Sequence, residues 1–281
     1  MVNKVSTIIS KNPVLILGCG RIGSAILSGL LDKGLKKSAI YIVDPFLDLI
    51  KSNFTALPIK SFNESLSDLD NSMNPSIVII AVKPQVMDKT LTDLKVLNLT
   101  KTVILSVAAG KTLKYFEDKL GYEQAIIRGM PNTPISVGEG VTVCCPNNQI
   151  TQSQKKLCDT LLGTVSSVEW VMDETLMDAV TALSGSGPAY LFYMVEAMAA
   201  AGQAMGLSGE LSEKLALDTI CGAGILLKTS KLSPTELRKD VTSPGGTTSA
   251  ALEIMMGEAG LAKILRQAMQ KAKARSKEMA D

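Results

Sequence analysis

The pattern of apolar and polar positions changes character once along the chain. From Val14 to about Met172, short apolar runs alternate with amphipathic stretches: Val14–Leu17, Tyr41–Val43, Ser76–Val82, Thr102–Val107, Ala125–Ile127, Val141–Cys145 and Val165–Val171. These runs are short and rich in Val and Ile, so they predict strands. Ser76–Val82 is apolar on both faces, as a strand at the centre of a parallel sheet must be. Between the runs, Ile22, Ile26, Leu27, Leu30 and Leu31 recur at helical spacing, and Gln85–Leu94 and Thr151–Leu162 also read as helices. Alternating strand and helix predicts an α/β domain over residues 1–172. Its sheet is doubly wound and Rossmann-type, with ligands at the carboxyl edge of the strands. The loops at that edge are Lys83-Pro84, Ala108-Ala109-Gly110 and Met130 to Pro134.

After Asp173 no strand-like alternation remains. Helical runs cover Glu174 to about Met205, Leu211–Leu227, Pro234–Asp240, Thr247–Met256 and Leu261 to the end, which predicts an all-α domain over residues 173–281. The small-residue runs at Ala197 to Ala204 and Cys221 to Gly224 permit close approach of helices within a subunit or between subunits.

Composition narrows the function. The chain has 281 residues, enough for two domains of ordinary size, and at 46% hydrophobic and 20% charged it is a globular sequence. A net charge of +2 and 4% aromatics give neither the field nor the stacking surface for nucleic acid. No apolar run approaches the ~20 residues of a membrane span, and residues 1–12 carry no contiguous apolar core of a secretion signal, so a cytoplasmic protein is expected. The basic last helix, with Lys263, Arg266, Lys271, Lys273, Arg275 and Lys277, reads as a solvated face. Five cysteines without a C-x-x-C pair predict reduced thiols and no zinc site. The absence of histidine removes Ser-His and Cys-His mechanisms and the commonest metal ligand, so no metal is expected.

Two glycine motifs carry the candidate chemistry. The first, Gly18-Cys-Gly-Arg-Ile-Gly23, follows a predicted strand and opens a predicted helix, as a dinucleotide fingerprint does. Gly18 would make the turn, Gly20 let pyrophosphate approach, and Gly23 pack helix on strand; a plain tight βα turn is the alternative. Asp44 ends the second strand, 26 residues after Gly18, where a carboxylate accepts ribose hydroxyls and repels a 2′-phosphate. With Pro45 behind it, Asp44 could equally cap a short helix, and Lys36 and Lys37 in the preceding loop could still offer charge to a phosphate.

The second motif lies in Asp240 to Glu258, where Pro244, Gly245 and Gly246 lead into a helix from Thr247. The first N–H groups of that helix have no internal partner and the glycines carry no Cβ, so a carboxylate can sit there, ringed by the hydroxyls of Ser243, Thr247 and Thr248. A Ser/Thr cap after a glycine turn is the simpler use of the same residues.

The Asp240 to Glu258 run closely resembles the signature segment of the pyrroline-5-carboxylate reductase family, and the resemblance extends over nearly the whole chain. It runs through Val14 to Gly20, Ala81-Val-Lys-Pro84, Ser106-Val-Ala-Ala-Gly110, Arg128-Gly-Met-Pro-Asn-Thr-Pro134 and Leu183-Ser-Gly-Ser-Gly-Pro-Ala-Tyr190. The resemblance implies reduction of 1-pyrroline-5-carboxylate to proline by NADPH or NADH, the last step of proline synthesis. It also implies a homodimer whose helical domains interlock so that each active site draws on two chains, often assembled into decamers. Carried over, Gly20, Arg21, Ile22 and Gly23 should hold pyrophosphate and Ala81, Val82, Lys83 and Pro84 should line the adenosine side. Ala108, Pro131 and Asn132 should border the nicotinamide. Val241, Ser243, Gly246, Thr247 and Thr248 should hold substrate, with Thr248 as the catalytic hydroxyl. After its second strand the family often has a small polar residue and Arg for the 2′-phosphate. Asp44-Pro45 stands there instead. Rival readings are another two-domain imine or β-hydroxyacid dehydrogenase, and a dinucleotide-sensing protein without catalysis.

Overall fold

Four-residue apolar runs can be strands only if both of their faces are covered, and the computed structural model shows how they are. It describes residues 13–55, 57 and 62–279. The stretch 1–12, read above for a secretion signal, lies outside them. The strands are β1 (Val14–Leu17), β2 (Ile40–Val43), β3 (Phe62–Asn63), β4 (Ile77–Ile80), β5 (Val103–Ser106), β6 (Ala125–Pro131), β7 (Gly140–Pro146) and β8 (Ser166–Trp170). They form one sheet in the order β3-β2-β1-β4-β5-β6-β7-β8. Successive residues of each strand feed opposite layers: Val14, Ile16, Ile77, Ile79, Val103 and Leu105 enter one buried cluster. Leu15, Leu17, Val78, Ile80 and Ile104 enter the other. A fully buried Ile or Leu contributes about 1.5–3 kcal/mol, so these positions hold the domain together.

The layers are closed by α1 (Arg21–Asp32), α2 (Leu47–Asn53), α3 (Met87–Leu94), α4 (Leu113–Leu120) and α5 (Gln152–Leu162). Helix α1 buries Ala25, Ile26, Leu27 and Leu30 against the sheet. Thr151 caps α5 in a capping box with Gln154, and Thr112 caps α4. The sheet is parallel except between β6 and β7. Only a single 3₁₀ stretch, Thr133–Val137, lies between those two strands, too little chain for the crossover of a dozen or more residues that a parallel pair needs.

The chain separates by its contacts into two compact units, one running to Gly185 and taking in Lys273 onward, the other Ser186–Ala272. Strand gives way to helix at Glu174, but the segment up to Gly185 stays with the sheet because Met177 and Ala182 are buried there. That segment comprises the short helix α6 (Met177–Val180) and a π turn, Thr181–Gly185. The second unit holds α7 (Gly187–Ala204), α8 (Gly209–Thr229), α9 (Pro234–Asp240), α10 (Thr247–Met255) and most of α11 (Leu261–Glu278). Helices α7 and α8 approach so closely that a Cβ on Gly202 would lie 2.9 Å from Ser212 Oγ. Large apolar side chains remain exposed on this unit, among them Leu191, Phe192, Tyr193, Ile225, Leu226 and Ile254. Apolar surface on this scale marks an interaction face. No helix among the described residues is long and apolar enough to cross a membrane.

Candidate functional site

In the first unit, the parallel pairing brings the carboxyl ends of β1, β2, β4, β5 and β6 to one edge of the sheet. The chain passes from β1 to β2 on one side and returns to β4 on the other, so strand order reverses beside β1, where a crevice opens in such sheets. Gly18, Gly20, Arg21, Ile22, Gly23, Asp44, Ala81, Val82, Lys83, Pro84, Ala108, Pro131 and Asn132 all fall at or just beyond these ends.

The glycine loop has the form a dinucleotide needs. Gly18 takes φ +86° and a Cβ there would lie 2.9 Å from the backbone of Ala81 and Val82. A Cβ on Gly23 would collide with the carbonyl oxygen of Gly18, whereas a Cβ on Gly20 would meet nothing within 4 Å. Gly20 is also the N-cap of α1, and no side chain caps that helix. An uncapped helix N-terminus facing open space beside a residue without a Cβ fits a pyrophosphate.

Asp44 is not a helix cap: α2 begins at Leu47 with Phe46 at its N-cap and no side-chain cap. Its carboxylate is instead tied to the loop, Oδ2 accepting from Cys19 N at 2.7 Å and Oδ1 from Phe46 N at 2.8 Å. Lys36 and Lys37, considered above for a phosphate, precede β2 and therefore stand at its amino end, opposite the cofactor edge. The sheet topology removes them from the site.

Burial, and after it the charge of Asp44, push the Cys19 thiol up to about 12. Cys144 and Cys145 are raised by burial to about 12 and about 11. At neutral pH all three are protonated, packed thiols without nucleophilic character.

At the carboxyl ends of β5 and β6, Ala108 is buried, and Asn132 is held at both ends of its amide. Its Oδ1 accepts from Val141 N at 2.8 Å and its Nδ2 donates to Ser184 O at 3.2 Å. Asn132 thereby fixes the turn after β6 to the π turn at Thr181–Gly185, a form of helix often found at functional sites. Two further residues escaped the sequence reading. Glu174 Oε1 accepts from Arg128 Nη1 and from Leu113 N, both at 2.8 Å, closing the loop after β5 against β6. The signal was Arg128 itself, a charge inside an apolar strand. The second is Phe46, 78% exposed beside Asp44.

In the second unit, Val241, Ser243 and Gly246 lie in the connection between α9 and α10, and Thr247 and Thr248 open α10. Gly245 takes φ +70°, which the bend requires, whereas Gly246 is ordinary extended backbone whose added Cβ would only displace Ser243 Oγ, 2.5 Å away. Gly246 N donates to Ser243 O at 3.1 Å, and Gly246 is the N-cap of α10 with no side-chain cap. The Ser/Thr cap weighed above is therefore not what these hydroxyls do; the N-terminus of α10 is left open to an anion. Arg238, in the last turn of α9, is turned to the far end of α10, where its Nη1 donates to Met256 Sδ at 3.2 Å. Among the described residues no group of three or more His, Cys, Asp or Glu is placed to hold a metal ion.

Comparison with known proteins matches residues 174–279 to the family model described as pyrroline-5-carboxylate reductase dimerisation. Residues 13–110 match the model described as NADP oxidoreductase coenzyme F420-dependent. The pyrroline-5-carboxylate reductase of Pseudomonas aeruginosa is 34% identical over 271 residues, 95% of this chain and 97% of that protein. Among solved structures, a pyrroline-5-carboxylate reductase from Coxiella burnetii superposes with a TM-score of 0.87 at 32% identity, covering 96% of this chain and 99% of that one. The Plasmodium falciparum pyrroline carboxylate reductase with NADP bound gives 0.79 at 28% identity over 97% of this chain and 100% of that one. With relatives at this identity spanning both units, the chain belongs to the pyrroline-5-carboxylate reductase family.

Proposed function

We propose that the chain reduces the cyclic imine 1-pyrroline-5-carboxylate to L-proline with NADPH or NADH, the closing step of proline synthesis. The observation that carries this is the Ser243 to Thr248 turn: hydroxyls beside an uncapped helix N-terminus suit a small carboxylate, in a chain that has no histidine for acid–base work. A reduced dinucleotide, when bound, would supply hydride to the imine carbon, C2 of the pyrroline ring and C5 of the proline product, and the C=N electron pair would move to the protonated nitrogen to give the amine. A protonated imine is already electrophilic, so the protein's work is to hold and orient.

Gly18 makes the turn on which Gly20, Arg21, Ile22 and Gly23 hold the pyrophosphate, Asp44 and Ala81 to Pro84 line the adenosine side, and Ala108, Pro131 and Asn132 border the nicotinamide. In the second unit the N–H groups at Gly246 to Thr248, with Val241 and Ser243 beside them, hold the substrate carboxylate. Thr248 Oγ1 hydrogen-bonds the ring nitrogen. Residues 1–172 thus serve the cofactor, and residues 173–281 serve substrate and subunit pairing. The protein works in the cytoplasm as a homodimer, which can assemble further into decamers.

A hydroxyacid dehydrogenase of the same plan needs a base, and no lysine lies within Ser184–Pro188 or Ser243–Thr248. A sensor without catalysis has no use for the second turn. Loss of reduced-nicotinamide absorbance on adding pyrroline-5-carboxylate, with proline formed in equal amount, is expected; oxidation with hydroxyacids but not with the imine would reject the proposal.

Replacing Thr248 by Val should lower kcat about tenfold with KM changed by less than about twofold, because a hydroxyl that orients the reacting nitrogen acts mainly in the transition state. An unchanged kcat removes Thr248 from the mechanism. Hydride transfer also needs a water-free site, which a partner's helices would enclose. Phe192→Glu with Ile225→Glu, both on the exposed apolar face, should give a monomer by sedimentation that still binds dinucleotide but turns over at least about 100-fold more slowly. Full turnover by a demonstrated monomer would contradict a shared active site.

A further inference from the structure

The turn after β2 carries two features that imine reduction does not use: a carboxylate fastened to the glycine loop and an aromatic ring left bare. Asp44 cannot swing aside. Its two oxygens accept Cys19 N and Phe46 N, and its own N–H donates to Asn63 O at 3.1 Å, so the residue is locked to the loops on both sides of β2. A carboxylate offers about four acceptor positions, and two remain for hydroxyl donors. The surrounding charge is of the same sign: Asp48 stands in the first turn of α2 and Glu64 follows β3, while no Arg or Lys occurs between Asp44 and Ile50. The lysines before β2 are at the other end of the strand, about 13 Å away along four residues. Arg21 opens α1 and Lys83 follows β4, so neither belongs to the turn after β2. A 2′-phosphate placed at Asp44 would meet carboxylates and no fork of donors, whereas a 2′-hydroxyl would find acceptors already aimed.

Phe46 stands beside that carboxylate. It is 78% exposed, follows Asp44 by two residues, and its position is fixed through its own N–H on Asp44 Oδ1. A bare ring beside a ribose acceptor offers a stacking face for a purine.

We infer that Asp44 and Phe46 form an adenosine subsite that accepts a ribose with an unsubstituted 2′-hydroxyl and rejects a 2′-phosphate, so that this chain selects NADH over NADPH. This deepens the proposed function and rests on it only in placing a dinucleotide at the glycine loop. The selection is electrostatic at Asp44, and Phe46 contributes equally to both cofactors because both carry the same adenine.

Calorimetric titration of the full-length protein with NADH and with NADPH, without substrate, tests this apart from turnover. The wild type should bind NADH at least about tenfold more tightly than NADPH. Asp44→Ser should weaken NADH and strengthen NADPH, bringing the ratio to one or below. Should that variant lose its fold along with the bond to Cys19 N, Asp44→Asn keeps an acceptor there, removes the charge, and should narrow the ratio at least about fivefold. Phe46→Ala should weaken both cofactors by the same factor, about fivefold, with Phe46→Tyr restoring them. A wild type that binds NADPH as tightly as NADH, or a ratio unmoved by both Asp44 variants, overturns the inference. Turnover of the imine, assayed in parallel with each cofactor, decides the reductase reading on its own: activity with tighter binding of NADPH sinks only the selectivity, and tighter NADH binding without turnover sinks only the reductase.

Discussion

Gly20→Val is expected to fold with the melting temperature of the wild type and to bind reduced dinucleotide about 100-fold more weakly, a loss of about 2.7 kcal/mol. The two halves of this expectation come from different observations. Gly20 has φ −70° and ψ −158°, extended backbone open to any residue, and a Cβ there meets no heavy atom within 4 Å, so the protein itself has room for the side chain. That room is the approach to the uncapped N-terminus of α1, and branched methyl groups placed in it would hold a pyrophosphate away from the N–H groups that should receive it. Gly23→Ala makes the contrast. Its Cβ would collide with the Gly18 carbonyl, so α1 must shift and stability falls together with binding. Thermal melts and calorimetric titration of both variants separate the cases; Gly20→Val binding within about threefold of the wild type would remove this loop from the cofactor site.

The parallel part of the sheet was legible because each buried run is Val/Ile-rich, and the glycine fingerprint was legible because its neighbours were a strand and an amphipathic helix. Three things were not. The reversal at β7 depends on the length of one connection, and strand-helix alternation carries no information on direction when the helix is a single 3₁₀ stretch. Strand β3, only Phe62–Asn63, is too short to show a period. The part played by Asp44 was ambiguous between capping and ligand binding, since an Asp before a Pro suits both; the start of α2 at Leu47, with Phe46 at its N-cap, removes the capping reading. In the second unit, hydroxyls and glycines suggested an anion site, and the chain fold adds that Gly246, rather than a side chain, stands at the N-cap of α10. A sequence motif states which groups are present, and the backbone decides which of them are already engaged.

Glu174→Ala should be among the most destabilising substitutions in the first unit, by about 3–5 kcal/mol. Arg128 lies in β6 with its side chain 7% exposed and Glu174 26% exposed, so their 2.8 Å contact is largely shielded from solvent. Removing the carboxylate strands a buried guanidinium and also the N–H of Leu113, which donates to the same Oε1. The cost is that of the charge left behind more than of the attraction lost. It follows that Arg128→Met with Glu174→Leu, which removes both charges and keeps the volume apolar, should be more stable than Glu174→Ala alone although it deletes more of the native contact. Guanidinium unfolding with constant m-value measures both variants. If Glu174→Ala unfolds at the wild-type midpoint, the pair is solvated and its link between β6 and the start of α4 is not a source of stability. If the single variant is destabilised and the double one recovers, the ion pair fixes the loop carrying Ala108 to Gly110 at the carboxyl edge of the sheet, and its loss should raise the Kd for dinucleotide even where the protein remains folded.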